Sequence, residues 1–549
     1  MKIKELENKI KEKIEGVLGS SVSLECPLNA DFGDFALFLS SREKGEEIIK
    51  ELSSIDFVEK AETTGPYLNI EIKRDLFFKA VIENAGSLEK KEEKKILVEY
   101  LAPNTNKPLH LGHLRNGIIG TAVSNALEVL GNKVIRVNLV NDRGEHICRS
   151  MLAYNKWGEG KEPDIKGDHF VGDFYVRYSK EEKNNPSLKE EVHRMLQDWE
   201  RGDKETVALW KKMNSWVYEG FEETYKKFGF RFDKTYYESE LYSFGKEIAK
   251  EGVKKNVFYY GKEGEILFDL PEEFGLDKDG NKRKVTILRK DGTSLYITQD
   301  LGVAVRKMED YDPDKSIYIT GLEQVYHFRC LFYILSLLYS WTEKLYHIPY
   351  NMVSLPEGKM KSREGIVIDA DDLLEEVKQN AKDEVIKRYG EVEDLEDRSL
   401  KIALGAIKFQ LLSVYPNQEI CFDPKKSISF EGTTGPYCQY AYARTRSILE
   451  KSEIINADLS LLKEKEEIVL SRKLAQFEKE VVLGTETFNP SRIANYLYEL
   501  SKEFNRFYNK HRVLSSEELS MPRLHLVLAV SKTLKKSLDI LGIPALEKM

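Results

Sequence analysis

Five cysteines in 549 residues are few and odd in number, which argues against a disulfide framework. No two of them form a Cys-x-x-Cys pair, so a cysteine zinc site is not expected either. Long apolar runs are also missing. The longest, Cys330-Leu-Phe-Tyr-Ile-Leu-Ser-Leu-Leu-Tyr-Ser-Trp341, falls short of the roughly 20 residues a bilayer span needs and reads as a buried core helix. The opening Met1-Lys-Ile-Lys-Glu-Leu-Glu-Asn-Lys-Ile10 is a charged amphipathic stretch without the apolar centre of an export signal, so a cytoplasmic location and no membrane partner are expected. The sequence holds no repeat of fixed period and no low-complexity tract. What it does hold is 41% apolar and 11% aromatic residues, too many for a disordered or fibrous chain. At roughly 100–200 residues per domain, the length implies about three to five domains or a large core with insertions. The net charge of −8 disfavours a nucleic-acid partner at first sight. The charge is uneven, however: the acidic excess lies before residue 400, and residues 401–549 are mildly basic, which is compatible with RNA binding at that end.

Residues 1–88 read as a first, α+β unit. Ile3, Leu6, Ile10, Ile14, Val17 and Leu18 recur at helical spacing, and strand-like segments follow at 35–39 and 67–72, the second after a Gly65-Pro66 turn. A charge cluster at 89–95 reads as a solvated linker. Residues 96–100 and 134–140 read as strands flanking an apolar helix at 114–130, a β-α-β unit with a parallel crossover. Residues 151–260, helical and charge-rich with four tryptophans, read as an insertion. Strand character returns at 265–269, 285–288 and 316–320, and the chain from residue 400 onward reads as all helical.

His110-Leu-Gly-His113 stands where the first strand's loop meets the crossover helix. Open parallel sheets bind ligands beyond their strand ends, and helix N-termini bind anions. Two imidazoles there suit a phosphate, and Gly112 would let a flat base approach the backbone. Solvent-facing histidines are the plain alternative; a zinc site lacks a third ligand and the His-Glu-x-x-His form. The surrounding Pro103-Asn-Thr-Asn-Lys-Pro-Leu-His-Leu-Gly-His-Leu-Arg115 resembles the His-Ile-Gly-His signature of class I aminoacyl-tRNA synthetases, in the form typical of arginyl-tRNA synthetases. Gly358-Lys-Met-Lys-Ser-Arg-Glu-Gly365 resembles the Lys-Met-Ser-Lys-Ser loop of the class. Further resemblance to the arginyl family lies in Asp31-Phe-Gly-Asp-Phe-Ala36 and Gly65-Pro-Tyr-Leu-Asn69 (its extra N-terminal domain). Asp291–Asp300 and Gly321–His327 resemble its amino-acid pocket, and Gly435–Arg444 and Leu541-Gly-Ile-Pro544 its helical anticodon-binding domain.

The resemblance implies a multidomain α/β protein. Its parts would be an N-terminal tRNA-binding domain (1–88), a class I Rossmann-like catalytic domain on a parallel sheet (92–398, with the insertion at about 151–260) and an all-α anticodon-binding domain (399–549). It implies ATP with Mg²⁺, L-arginine and tRNA(Arg) as partners, and a monomer is expected. Catalysis would fall to His110, His113, Lys107 and Lys359. ATP would be held by Pro103, Asn104, Lys107, His110, Gly112, His113, Met360, Lys361 and Ser362. A guanidinium is planar, always charged and offers five donors, so its pocket must supply carboxylates. Tyr296 and Asp300, four apart, share a face if a helix begins there. The resemblance assigns Glu238, Tyr296 and Asp300 to the guanidinium, and Asn104 and Gln324 to the α-amino and carboxylate end. Glu240 competes with Glu238 for this role. Contacts to tRNA would come from Tyr437, Gln439, Arg444, Arg506 and Tyr508. Phe504, Phe507 and Tyr508 also fit an ordinary core stripe, and His146 and Cys148 read as structural rather than as metal ligands.

The second signature departs from the class at its fourth position, where a lysine is expected and Ser362 stands. Lys107, three residues before His110, is the candidate to replace that charge. A small-molecule nucleotidyltransferase would share the His-x-Gly-His geometry but would have no use for the helical C-terminal residues. A non-catalytic tRNA-binding relative would have no physical reason to keep His110, His113 and Lys359.

Overall fold

The computed structural model describes residues 2–27, 29, 32–39, 42–356, 358–359, 368–515 and 518–549, with backbone alone at 42, 43, 358 and 359. The chain divides into two compact units, one of residues 1–90, 377–413 and 424–549, the other of residues 91–376 and 414–423.

The first unit opens with α1 (Ile3–Leu18), which buries Leu6, Ile10 and Ile14 along one stripe. β1 (Phe35–Phe38), α2 (Arg42–Leu52), β2 (Val58–Thr64), β3 (Tyr67–Ile72) and α3 (Arg74–Glu83) follow, with β3 central and antiparallel to both neighbours. β2 carries little apolar alternation because neither of its faces is buried, so periodicity does not reveal it. Asp34 and Arg472, both fully buried, form the main electrostatic tie from this α+β segment to the C-terminal helices. Asp34 Oδ1 accepts from Arg472 Nε (3.1 Å) and Arg74 Nη1 (3.0 Å), and Oδ2 accepts from the Ile72 amide (2.9 Å). Removing one partner of a buried pair leaves an uncompensated charge and costs about 3–5 kcal/mol. Asp34→Ala should therefore destabilise this unit by about that amount. All five tryptophans (157, 199, 210, 216 and 341) lie in the other unit. In a urea titration the far-ultraviolet circular dichroism transition should thus move to lower urea while tryptophan fluorescence holds; unchanged transitions on both probes would remove Asp34 as the tie.

The second unit is built on a five-stranded parallel sheet. β4 (Lys95–Glu99), α4 (Leu111–Val129) and β5 (Lys133–Val140) make the β-α-β unit read from sequence, although the helix starts three residues earlier. Ile96, Leu97 and Val98 are all buried, as befits a strand covered on both faces. Four helices come next: α5 (Glu145–Trp157), α6 (Gly167–Asn184), α7 (Leu188–Arg201) and α8 (Lys204–Phe228). The chain then returns to the sheet as β6 (Lys234–Tyr237), parallel to β5, followed by α9 (Glu238–Lys254). The stretch 151–260 is therefore not wholly an insertion. β6, only four residues long and bearing Lys234 and Thr235, was hidden by its helical flanks.

β7 (Tyr259–Tyr260), β8 (Ile266–Asp269) and β9 (Lys284–Leu288) form a separate antiparallel sheet. α10 (Tyr296–Tyr311), β10 (Lys315–Gly321), α11 (Val325–Leu338) and β11 (Leu345–Tyr350) complete the parallel sheet in the order β11-β10-β4-β5-β6. β4 and β10 are thus the neighbours at which the strand order reverses, and ligands of such sheets bind beyond the carboxyl ends of those two strands. β12 (Val353–Leu355) pairs with β13 (Gly358–Lys359) and, in parallel, with β14 (Ile420–Cys421). The chain beyond residue 400 is for that reason not all helical.

α12 (Ala370–Tyr389) and α13 (Leu395–Leu412) precede β14. α14 (Pro424–Ser427), α15 (Gly435–Leu449), α16 (Lys465–Ala475), α17 (Phe477–Glu486), α18 (Ser491–Lys510) and α19 (Ser520–Ile540) follow it.

Candidate active site

The loop from β4 to α4 holds Leu101 and Ala102 at positive φ (84° and 48°), a conformation that costs a non-glycine residue on the order of 1–3 kcal/mol. Two asparagines hold it there. The Leu101 amide donates to Asn116 Oδ1 (2.6 Å) and the Ala102 amide to Asn138 Oδ1 (3.2 Å). Beyond this bend, Pro103 and Asn104 run beside Asn141: the Asn141 amide donates to the Pro103 carbonyl (2.9 Å) and the Thr105 amide to the Asn141 carbonyl (3.1 Å).

His110 is the N-cap of α4. Its Nδ1 accepts from the Gly112 amide (3.2 Å), while its own amide donates to His113 Nδ1 (3.2 Å). The two rings stack at 3.8 Å. A neutral imidazole that accepts at Nδ1 carries its hydrogen on Nε2, so each ring presents one Nε2–H donor. Burial, then the charge of Lys107, pushes His110 down to about 3. Burial, then His110 and Lys107, holds His113 well below its ordinary value. Both are neutral donors at physiological pH, which leaves Lys107, half-buried and lowered by burial, as the cation of this loop. A Cβ on Gly112 would lie 3.0 Å from the His110 ring, so this glycine makes room for the ring itself.

The segment following the second signature is stitched to the first. The Leu111 amide donates to the Ile368 carbonyl (3.1 Å) and the Ala370 amide to the Leu109 carbonyl (2.9 Å). Met360, Lys361 and Ser362 lie outside the described residues, as does the side chain of Lys359, whose backbone pairs with Ser354. Next to the stitch, His169, Asp369 and Asp371 converge closely enough to suggest a metal site. Asp371, however, already accepts from Lys166 Nζ (2.7 Å) and Lys227 Nζ (2.8 Å), and two ammonium groups occupy the place of a divalent ion. The cluster is a lysine–carboxylate network.

A second group of side chains gathers at the start of α9 and α10. Asp142, nearly fully buried at the end of β5, accepts from the Ser239 amide (2.8 Å), the Ser239 hydroxyl (2.6 Å) and the Tyr218 hydroxyl (2.9 Å), and so fixes the first turn of α9. Glu238 opens that turn and is buried, whereas Glu240 is exposed. Gln299, with its amide turned to satisfy both neighbours, donates to Glu238 Oε1 (3.2 Å) and accepts from Arg143 Nη1 (2.9 Å). Burial, and then the facing charge of Asp300, pushes the Glu238 carboxyl up to about 8. Tyr296 and Asp300 lie on α10 one turn apart, as expected, with Tyr296 68% exposed. Asp300 Oδ2 is 2.5 Å from His327 Nε2. Gln324 is exposed on the 3₁₀ turn after β10, and Asn104 is half-buried after β4, so both flank the strand-order reversal.

The arrangement combines two neutral donors and a lysine at a helix N-terminus with a pocket of facing carboxylates across the sheet's switch point. Comparison with known proteins agrees with it. The family described as tRNA synthetases class I (R), catalytic domain, matches residues 78–423, and the DALR anticodon binding domain matches residues 438–549. The arginine–tRNA ligase of Borrelia hermsii is 40% identical, over 100% of this chain and 97% of that protein. The Treponema denticola arginine–tRNA ligase is 42% identical over 98% of this chain and 96% of its own length. The chain belongs to the arginyl-tRNA synthetase family. The solved Thermus thermophilus arginyl-tRNA synthetase superposes with a TM-score of 0.85 at 25% identity, covering 99% of this chain and 100% of that one.

Within this arginyl-tRNA synthetase frame, the residues expected to meet tRNA separate. Gln439 is fully buried and donates to the Lys401 (2.9 Å) and Pro544 (2.7 Å) carbonyls, so it serves the fold and is withdrawn as a tRNA contact. Arg444 lies over the Tyr440 ring (4.6 Å) and the Tyr508 ring (5.0 Å) and donates to Asn505 Oδ1 (2.5 Å). Arg506 and Tyr508 are exposed and Tyr437 is half-buried. Phe504 and Phe507 are core residues, as the stripe reading had it. Cys148 is buried and His146 half-buried. Sequence reasoning singled out neither Asp142, Arg143 nor His327.

Proposed function

We propose that this chain is an arginine–tRNA ligase that activates L-arginine with ATP, as its magnesium complex, and transfers it to the 3′ end of tRNA(Arg). The observation that carries this reading is the carboxylate pair Glu238–Asp300, which would be met in full by a guanidinium. Glu238, Tyr296 and Asp300 bind the side chain, and Asn104 and Gln324 hold the α-amino and carboxylate groups. The substrate carboxylate attacks the α-phosphate of ATP, and pyrophosphate leaves. No side chain acts as a covalent nucleophile. His110 and His113 donate Nε2–H bonds to the phosphates, and Lys107 and Lys359 supply positive charge, so catalysis is placement plus charge stabilisation at phosphorus. Pro103, Gly112, Met360, Lys361 and Ser362 complete the ATP site. The 2′-hydroxyl of the terminal adenosine then takes the arginyl group. Tyr437, Arg444, Arg506 and Tyr508 contact the tRNA, and the working form is a cytoplasmic monomer.

ATP–pyrophosphate exchange with each of the twenty amino acids, with and without total tRNA, tests the reading. Exchange is expected with arginine alone, and only when tRNA is present. Exchange with another amino acid overturns the substrate assignment, and robust exchange without tRNA overturns the tRNA requirement.

A further inference from the structure

Asp300 does not face an empty pocket with its charge uncompensated. His327, the third residue of α11, brings Nε2 to 2.5 Å from Asp300 Oδ2. Three elements surround this pair. From α10 come Asp300 and Tyr296, and from the start of α9 comes Glu238, whose charge is coupled to Asp300. From β11 comes His347, which shares the Thr320 hydroxyl hydrogen bond at Nε2 (2.8 Å) and stacks on Phe328 at 4.5 Å. Burial, then the nearby His327, pushes His347 down to about 4, so it is neutral and cannot carry the proton. Burial opposes a charge on His327 as well, but the hydrogen bond to Asp300 and its charge outweigh it, and His327 titrates above its ordinary 6.5. Among the described residues, His327 is the group that pairs with Asp300.

We infer that a proton on His327 holds the place of the substrate guanidinium in the empty pocket and is released when arginine binds. The inference rests on the assignment of Asp300 to arginine recognition. A guanidinium keeps its charge at any pH a protein survives, so when it docks on Asp300 two cations face one carboxylate. The imidazolium is the one that can yield. It loses its Nδ1 proton to solvent, and His327 is about 30% exposed on its side chain, so the proton has a way out. The Nε2–H remains and still donates to Asp300 Oδ2, so the carboxylate stays aimed. Linkage is reciprocal: if arginine expels the proton, the proton weakens arginine. Because His327 titrates above 6.5 in the free protein, the penalty is full at lower pH and disappears as pH rises through that raised value. Arginine affinity should therefore climb with pH, by up to about tenfold per unit below that raised value and by about threefold per unit at it. Lysine would gain less from the exchange, since one ammonium cannot occupy both carboxylates in the fork geometry.

The test is calorimetric titration of L-arginine into the full-length protein at pH 6.5, in phosphate and in imidazole buffer, whose ionisation enthalpies differ. The buffer dependence of the heat counts the protons released. The wild-type protein should release roughly half a proton or more from His327, in addition to whatever Glu238 gives up. His327→Gln keeps a donor for Asp300 but has no proton to lose, so its release should fall by that half proton, and its arginine affinity should vary less between pH 6 and 8. Zero release by the wild-type protein overturns the inference without recourse to any variant. Equal release by the wild type and His327→Gln overturns it while leaving the pocket assignment intact, provided Asp300→Asn still loses arginine. If Asp300→Asn binds arginine normally, the pocket assignment fails and this inference fails with it.

Discussion

Lys107→Ala should lower kcat for arginine activation by about 10²–10³-fold, the usual consequence of deleting one preorganised transition-state donor. The pentacovalent phosphorus gathers negative charge, and the second signature lacks a lysine at Ser362, where one is expected. His110 and His113 cannot make up the deficit as cations, because burial and Lys107 itself keep them neutral. Among the described residues no ion pair or hydrogen bond occupies the Lys107 ammonium, and a desolvated, unpaired charge beside a helix N-terminus is well placed for phosphate. The KM for arginine should move little, since the carboxylate pocket is formed by α9 and α10. Removing Lys107 should also raise the His110 and His113 pKa values, because its charge is among the causes that hold them down. Ser362→Lys should restore part of the lost rate, position of charge being the issue. Single-turnover adenylate formation reads the effect. A Lys107→Ala protein with near-normal kcat would transfer the role to Lys361 or Arg363.

Asp300→Asn should raise the KM for arginine by roughly 30- to 5000-fold, corresponding to about 2–5 kcal/mol for removing the charge of a half-buried, hydrogen-bonded carboxylate. The KM for ATP should stay near normal. The substitution keeps the shape but removes half of the charge the guanidinium meets and frees His327 from its partner. Steady-state exchange with each substrate varied in turn separates the two parameters. Equal damage to both would mean that Asp300 does not read the amino-acid side chain. By the same logic citrulline, uncharged, should be a poor substrate, because the carboxylates would be left facing it without a cation.

Much of the candidate site's local geometry could be read from residues because it is local. The run Pro103 to Arg115 is one strand end, one loop and one helix start, and Tyr296 and Asp300 share a helix turn. Their geometry follows from spacing. What spacing cannot convey is partnership across the fold. Asp142 fixes Ser239 from 97 residues away, and His327 meets Asp300 from 27 residues away. Nothing local distinguishes either from an ordinary polar residue. β2 and β6 were hidden for different reasons: the first is polar on both faces, and the second is four residues set between long helices. Gln439 sits in a run rich in aromatic and basic residues, Tyr437 to Arg444, and only its burial against the Lys401 and Pro544 carbonyls assigns it to the fold. The parallel sheet itself was legible because buried strands such as Ile96–Val98 are continuously apolar.

Arg115, the last residue of the first signature, carries a consequence for synthesis of the chain. Its guanidinium is fully buried with no carboxylate beside it among the described residues; four backbone carbonyls receive it, Asn351 (2.7 Å), Met352 (3.1 Å), Pro416 (3.2 Å) and Gln418 (2.8 Å). The last two lie 301 and 303 residues downstream, beyond α12 and α13. At roughly 5–20 residues per second, a ribosome needs on the order of 15–60 s to deliver them. For that interval the helix bearing both histidines holds a half-satisfied charge, and the catalytic unit cannot close by itself even though nearly all of it has emerged. Ribosome-stalled chains ending at Ser413 should therefore be cut by protease within α4, whereas chains that have exposed residue 423 should resist. Equal resistance at both lengths would show that the first two carbonyls suffice. The order of the chain thus makes completion of the parallel-sheet unit wait upon residues made after α12 and α13.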